Sequence, residues 1–445
     1  MRLSWSQPED LIAHEIAQSR VEGKEVDAAA AEWEAAGGDL SIGRAGATAE
    51  AASPELKRLA GHLLDRLDAT PAPLDPDEPD DLESILAEAP QRGPKRAPSS
   101  ADPDRILGGW LGRSAGCLLG KPVEKIPPEG IRAILESAGR WPLTEYFTAV
   151  GLDPAVAARY PWNRASGPTS LAENIDGMPE DDDLNYTILG LQLLEAHGSG
   201  VTTDDVAQSW LMSLPAGRVF TAERAAYRNL LEGIDPDDCA SRWNPFREWI
   251  GALIRTDVYG WVSPGDPAAA ARIGYADARL SHTRNGIYGA MWAAALGASA
   301  VAASDIDEVI AAGLSVVPPR SRLAQAIRFG DELGSSGLAL DASLAALWAE
   351  FEGVHWVHVL NNAATIAWAL RRGGGRFDDA VPLAVMAGWD TDSDGATVGA
   401  VCGALAGATA LPPRWTAPLK DRITTSLPGL SGIALSELAA RTAAI

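Results

Sequence analysis

Ala387-Gly-Trp-Asp-Thr-Asp-Ser-Asp-Gly-Ala-Thr397 runs without a break into Val398-Gly-Ala-Val-Cys-Gly-Ala-Leu-Ala-Gly-Ala408. The second half reads as a helix of small residues. Glycine costs about 1 kcal/mol against alanine in a helix interior, so such a helix is expected only where it is buried against close neighbours. At its mouth, Asp390, Asp392 and Asp394 alternate with the hydroxyls of Thr391 and Ser393. That is an all-oxygen set of the kind selected by hard cations such as Mg²⁺, Mn²⁺ or Ca²⁺.

A second acidic knot lies upstream. Pro179-Glu-Asp-Asp-Asp-Leu-Asn-Tyr186 immediately precedes the apolar periodicity of Ile188, Leu191 and Leu194. Carboxylates at a helix start have an ordinary use, because they cap free N–H groups and favour the positive end of the helix dipole. Two such knots in one chain, each opening an apolar helix, suggest instead that they face each other across metal ions.

Outside these knots the pattern is repeatedly helical. Ile106, Trp110, Leu111 and Leu118 share one spacing, and Val206, Trp210, Leu211 and Leu214 follow Thr203 as N-cap. Glu308 to Val317 and Ala339 to Trp348 also suit helices, whereas alternating strand-like runs are nearly absent. The stretch from Gly139 to Gly177, rich in Pro, Gly, Trp and Asn, suits a long irregular loop. Tyr146, Phe147, Tyr160 and Trp162 mark it as an ordered lid or pocket wall.

The first hundred residues differ in composition, being rich in Ala, Glu and Asp, and they end in a Pro- and acid-dense run from Thr70 to Pro98 that reads as a linker. Within them Leu56, Leu59, Leu63, Leu64 and Leu67 have helical spacing. Residues 1–100 are therefore expected to form a helical extension and linker, docked on the main body or on another subunit, and residues 101–445 the catalytic domain.

The 445 residues carry a formal charge of −23 and are 46% apolar. That charge would repel a polyphosphate backbone, which argues against nucleic-acid binding. The start of the chain has a charge pair and no apolar signal core, and no later segment approaches ~20 uninterrupted apolar residues. A cytoplasmic protein without membrane association, monomeric or a small homo-oligomer, is expected. Cys117, Cys239 and Cys402 are scattered and lack Cys-x-x-Cys spacing, so they read as reduced structural residues. His355 and His358 lack the further ligands a zinc pair would need.

Five ordered motifs then carry a resemblance. They are Gly109-Trp-Leu-Gly-Arg-Ser-Ala-Gly-Cys-Leu-Leu-Gly-Lys-Pro-Val-Glu124, Glu180-Asp-Asp-Asp183, Ile250-Gly-Ala-Leu-Ile-Arg255, Ser281-His-Thr-Arg-Asn-Gly286 leading into Ala290-Met-Trp-Ala-Ala, and Gly388-Trp-Asp-Thr-Asp-Ser393. Between Ile106 and about Ala410 the chain resembles the ADP-ribosylglycohydrolase family, which includes the DraG-like and ARH-type ADP-ribosyl hydrolases.

The resemblance implies an all-α orthogonal multi-helix bundle with two neighbouring Mg²⁺ or Mn²⁺ ions in a central cleft. It maps Asp182 and Asp183 onto a family Thr-Asp-Asp motif, and Asp390, Asp392 and Ser393 onto a later Asp-Thr-Asp-Thr motif. Asp181 stands where the first motif has Thr and adds a further carboxylate to the metal set. Trp389 replaces a usual Gly, and Asp394 is additional. These departures suggest a branch with a different pocket.

Catalysis would fall to Asp183, Asp392 and Glu124, the last handling a proton or a ribose hydroxyl. Metal chemistry would fix ribose hydroxyls and activate a water that attacks C1′ through an oxocarbenium-like state. His282 and Asn285 occupy a position that lines the substrate cleft in the family, although a lone His is often structural. Arg255 and Asp257 could contact phosphate or close the cleft, with an internal salt bridge equally open.

Three functions follow. The first is a metal-dependent hydrolase of an ADP-ribosyl bond, on protein or on a small molecule. The second is a hydrolase of a smaller ribosyl substrate such as a nucleoside, to which the departures at Asp181, Trp389 and Asp394 lend weight. The third is a non-enzymatic ADP-ribose-binding or structural module, against which the costly concentration of like charge in both knots argues.

Overall fold

A computed structural model of the chain describes residues 2–90, 102–163 and 166–445. Among the described residues the architecture is all-α. The chain's few β-type pairings are isolated bridges, such as Met178 with Ile423. The helices pack around one continuous apolar core that includes the fully buried indoles of Trp110, Trp210, Trp261, Trp292 and Trp368. No described helix is long and apolar enough to cross a membrane.

The organising contact is between the Pro103–Gly120 helix and the Thr391–Ala406 helix. Gly108, Gly112, Gly116 and Gly120 recur every fourth residue on one helix face. On the partner, Gly403, Gly399, Gly395 and Thr391 meet them in reverse order, so the helices run antiparallel. A Cβ added at any of these seven glycines would come closer than 3.0 Å to a backbone carbonyl of the partner helix. Thus the propensity lost to glycine is offset by close backbone packing, which only residues without a side chain allow. The consequence is positional. The C-terminal end of the first helix is clamped onto the N-terminal end of the second, where Thr391 Oγ1 donates to the Gly120 carbonyl at 2.8 Å.

Local detail corrects one expected cap and adds to the rest. The helix after Val201 is capped by Thr202, not Thr203. Thr202 Oγ1 accepts the Asp205 N–H while Asp205 Oδ2 accepts the Thr202 N–H, a reciprocal box that Thr203 could not close. Ile250–Arg255 is a 3₁₀ segment. The Gly139–Gly177 stretch contains short helices at Pro154–Arg159 and Gly167–Ser170. It is pinned by Tyr146 OH donating to the Trp415 carbonyl at 2.8 Å and by the Phe147–Trp162 edge contact at 5.9 Å.

The N-terminal segment packs on the body through charge as well as apolar area. Arg247, fully buried, forms ion pairs with Glu15 at 2.9 Å and with Glu22 at 2.7 Å. Beside them Trp5, His14, Phe246 and Trp249 form edge-on ring contacts. The acid-rich stretch after Thr70 is bonded down over residues 70–90. Glu78 pairs with Arg322 at 2.7 Å, and Asp80 accepts the Arg284 N–H at 2.7 Å. Its composition reads as linker, but its acids find cations and helix N–H groups on the body. Residues 91–98 of that run lie outside the described residues. Replacing Arg247 with methionine should strand two buried carboxylates and cost about 3–5 kcal/mol. Hydrogen exchange of Pro8–Val21 should then rise while exchange in Thr391–Ala406 stays near wild type.

Candidate metal centre

The clamp described above brings three chain segments to one place. Glu124 follows the Pro103–Gly120 helix, Asp181 to Asp183 open the Asp182–His197 helix, and Asp390 to Ser393 open the Thr391–Ala406 helix. Two groups of possible ligand atoms result, each with its atoms within 4.8 Å of one another. One comprises Glu124, Asp390 and Asp392, and the other Cys117, Asp181 and Asp183.

The groups are linked. Ser393 Oγ donates to Asp183 Oδ2 at 3.2 Å. Fully buried Arg113 holds the other side of Asp183 through Oδ1 at 3.2 Å, and its second amino group pairs with Asp257. Asp257 therefore orients Arg113, which orients Asp183. Burial raises the Asp257 carboxyl to about 6, against the pull of Arg113.

Charge repulsion marks the centre. Asp392 is pushed up to about 7 by burial and then by Glu124 and Asp181. Burial also raises Asp182, with Asp181 and Asp392 adding to it, and raises Asp390, with Asp392 and Glu124 adding to it. Asp183 moves up for the same reasons despite Arg113. Asp181 goes the other way. Burial opposes its charge, but the Lys121 ammonium pairs with Oδ2 and holds it below the usual carboxylate range, while Oδ1 caps the Asp183 N–H at 2.9 Å. Both Asp181 oxygens are thus engaged by the protein.

The residues fit a divalent cation. Buried carboxylates that destabilise one another, with free lone pairs and few compensating cations, are relieved by a bound hard ion. Cys117 lies beside them, but burial keeps its thiol well above its ordinary pKa, so the donor set is oxygen in character.

The rim is made of aromatics and one cation. Trp389 has a left-handed backbone, φ 61°, where glycine costs least. It is held there by stacking on Trp348 at 4.8 Å and by its carbonyl accepting the Lys125 N–H at 3.0 Å. Lys125, itself at φ 71°, places its ammonium 3.1 Å from Glu124 Oε1 and 4.6 Å from the Trp356 ring centre. Asn163 from the long loop donates to the other Glu124 oxygen.

The remaining expected site residues lie deeper. Arg255 is spent on Glu223, Asp277 and Ser281. His282 Nδ1 lies 2.8 Å from Ser281 Oγ, and burial keeps the ring neutral. Asn285 accepts the Leu323 N–H at 2.9 Å. These three are fully buried and bond to protein groups outside the two acidic clusters. Conversely, Arg113, Lys121, Lys125, Asn163 and Cys117 were not singled out for the site. Lys121 and Arg113 sit inside the first motif, where charge buried between small residues was the available signal. Nothing local marks Asn163.

Asp394 is fully buried, and neither of its carboxylate oxygens has a partner. Burial, then Asp392, raises its pKa well above normal. A raised acid retains a proton in the folded state that the unfolded chain loses near pH 4, so it lowers stability increasingly as pH rises from there. Asp394→Asn should therefore stabilise the metal-free protein at pH 7, by about 1–3 kcal/mol, read as a higher Tm with a flatter pH dependence.

Among the described residues, an all-helical body whose helix ends converge on paired carboxylate clusters defines the class: an α-fold protein with a buried acidic centre. The family comparison is specific. The ADP-ribosylglycohydrolase family matches residues 98–444, and the chain belongs to that family of glycosyl hydrolases. An uncharacterized protein of Archaeoglobus fulgidus is 25% identical over 332 residues, 70% of this chain and 90% of its own length. A solved structure titled an ADP-ribosylglycohydrolase-related protein complex aligns with a TM-score of 0.46 and 22% identity, over 77% of this chain and 96% of its own.

Proposed function

We propose that the protein is a metal-dependent hydrolase that cleaves a glycosidic bond at ribose C1′ of an ADP-ribosyl substrate. The observation that carries this reading is the convergence of Glu124, Asp390 and Asp392 with Asp183 and Ser393 at two helix mouths. Asp183, Asp390, Asp392 and Ser393, with Asp182 beside them, are the proposed ligands of two Mg²⁺ or Mn²⁺ ions. Asp181 serves as the helix cap and counter-ion of Lys121. When bound, the ions supply Lewis acidity towards ribose hydroxyls and water.

The chain's own residues do the rest. Asn163 fixes one oxygen of Glu124. The other oxygen faces the half-exposed Lys125 ammonium and is placed to take a proton from the attacking water. The surrounding carboxylates favour the positive charge that develops on the ribose ring. Arg255, Asp257, His282 and Asn285 act from behind the cleft as supports of its walls.

A second reading, a hydrolase of smaller ribosides, is favoured by one feature. The Trp389 indole, 4% exposed and stacked on Trp348, fills space beside Asp390 that a glycine would leave open.

A turnover screen by mass spectrometry decides between them. With Mg²⁺ or Mn²⁺, the substrates would be ADP-ribosylated arginine and serine peptides, O-acetyl-ADP-ribose and plain ribonucleosides. Metal-dependent release of ADP-ribose is expected, and release of ribose from nucleosides alone would establish the second reading. Silence on all of them would favour a binding or structural module.

A further inference from the structure

Away from the acidic centre, a cavity of about 500 Å³ lies in the seam between the N-terminal segment and the body. That volume is in the range of small-ligand sites. Its lining includes a cation, Arg284, and an anion, Asp68, that each lack an ion pair among the described residues. Arg284, on the body side, is 8% exposed, and among the described residues its guanidinium has no hydrogen bond or ion pair, only the longer-range attraction of the Asp80 and Glu248 carboxylates. Its only hydrogen bond to a side chain, to Asp80, comes from the backbone N–H. The hydroxyl of the adjacent Thr283 is buried and also without a partner.

Leaving a buried hydroxyl such as that of Thr283 dry and unpaired is costly, and proteins normally avoid it. The Arg284 backbone adds to the cost, because its φ of 44° is strained for a residue with a side chain. Strain of that kind persists where the surroundings impose it, often at ligand sites.

Asp68, also in the lining, accepts the Trp243 N–H, at 3.2 and 3.3 Å, and among the described residues forms no ion pair. Arg247, the other buried cation of the cavity, is saturated by Glu15 and Glu22. Among the described residues the lining charges without an ion pair are therefore the Arg284 guanidinium and the Asp68, Asp80 and Asp238 carboxylates, and Arg284 and Asp68 are borne by different parts of the chain.

We infer that this seam cavity binds a small zwitterion, its carboxylate or phosphate held by Arg284 and Thr283 and its ammonium by Asp68. A planar guanidinium presents the two parallel N–H groups that suit such an anion. Occupancy would tie the N-terminal segment to the first turn of the Arg284–Ala300 helix.

The test is isothermal titration of the full chain at fixed ionic strength. The probes are glycine, γ-aminobutyrate and 6-aminohexanoate, which carry both charges at increasing separation, with butyrate and butylammonium carrying one each. At least one zwitterion should bind at least about tenfold more tightly than either single-charge probe, with Arg284→Met and Asp68→Asn each weakening it by at least about tenfold. Should Arg284→Met fail to fold, Thr283→Val should also weaken binding. The inference is overturned if none of the three zwitterions binds, if butyrate binds as tightly as the best of them, or if the variants bind as wild type does. The readout is binding and not turnover, so its outcome is independent of the catalytic assignment.

Discussion

Valine at Gly112 or Gly399 should abolish the folded protein. Each glycine faces the other across the two central helices, and a Cβ at either would come closer than 3.0 Å to the opposing main-chain carbonyl. Backbone cannot rotate away as a flexible side chain can, so the helices must separate. That separation would open the backbone-to-backbone packing of the two helices and pull Glu124 away from Asp390 and Asp392. The expected loss exceeds about 4–5 kcal/mol, a large fraction of the stability of an ordinary domain. Insoluble expression, or helical circular dichroism without a cooperative thermal transition, is the expected observation. Gly200→Ala and Gly217→Ala are the controls. Both positions have open space around the added carbon and ordinary φ, and each should stay within about 0.5 kcal/mol of wild type. A soluble, cooperatively melting Gly112→Val would remove the clamp as the element that assembles the centre.

Asp392→Asn should lower turnover on the order of a thousandfold, the scale on which removing one electrostatic partner at a reacting centre acts. It should do so without harming the fold, and this separates a functional carboxylate from a structural one. Asp392 has a pKa of about 7 in the folded, metal-free protein, whereas an unfolded aspartate titrates near 4. The folded state therefore keeps a proton that the unfolded chain gives up across that interval. Stability of the metal-free wild type should fall as pH rises from about 4 to about 7. The asparagine variant, with no charge to bury, should show a shallower fall and a higher metal-free Tm at pH 7. Mg²⁺ should raise the wild-type Tm and leave the variant almost unmoved. A variant less stable than wild type without metal would mean that Asp392 serves packing instead.

The fold class was legible because helical periodicity and the ordered motifs agree, and because the acidic knots each open an apolar helix. The small-residue helix from Val398 to Ala408 announced that it needed close neighbours. Its partner is visible in the sequence as the four-residue spacing of Gly108, Gly112, Gly116 and Gly120, but spacing within one helix does not say which other helix answers it. That information is long-range, spanning nearly three hundred residues of chain. The same limit explains the site. Glu124, Asp183 and Asp392 stand out through the acidic knots and the motifs that carry the family resemblance, whereas Asn163 reaches Glu124 only because the chain between them folds back on it.

Electrostatic partners were the hardest to read. Asp181 reads as a further carboxylate for metal and stays within reach of Asp183, and the folded chain adds what sequence does not show, Lys121 and the helix start engaging its two oxygens. Arg255 and Asp257 lie two residues apart in sequence and join different networks, one around Asp277 and Glu223, the other behind Asp183. Composition also misled at the acid-rich stretch after Thr70, where Glu78 and Asp80 are anchors and not solvated linker charges.

The most direct test of the central claim is an equilibrium titration of the metal-free protein with Mn²⁺, followed by electron paramagnetic resonance. Two Mn²⁺ ions per chain are predicted to bind in the wild type, with loss of at least one in Asp392→Asn. Absence of stoichiometric binding to the wild type, or an unchanged titration in the variant, would contradict the assignment of these carboxylates as a metal centre.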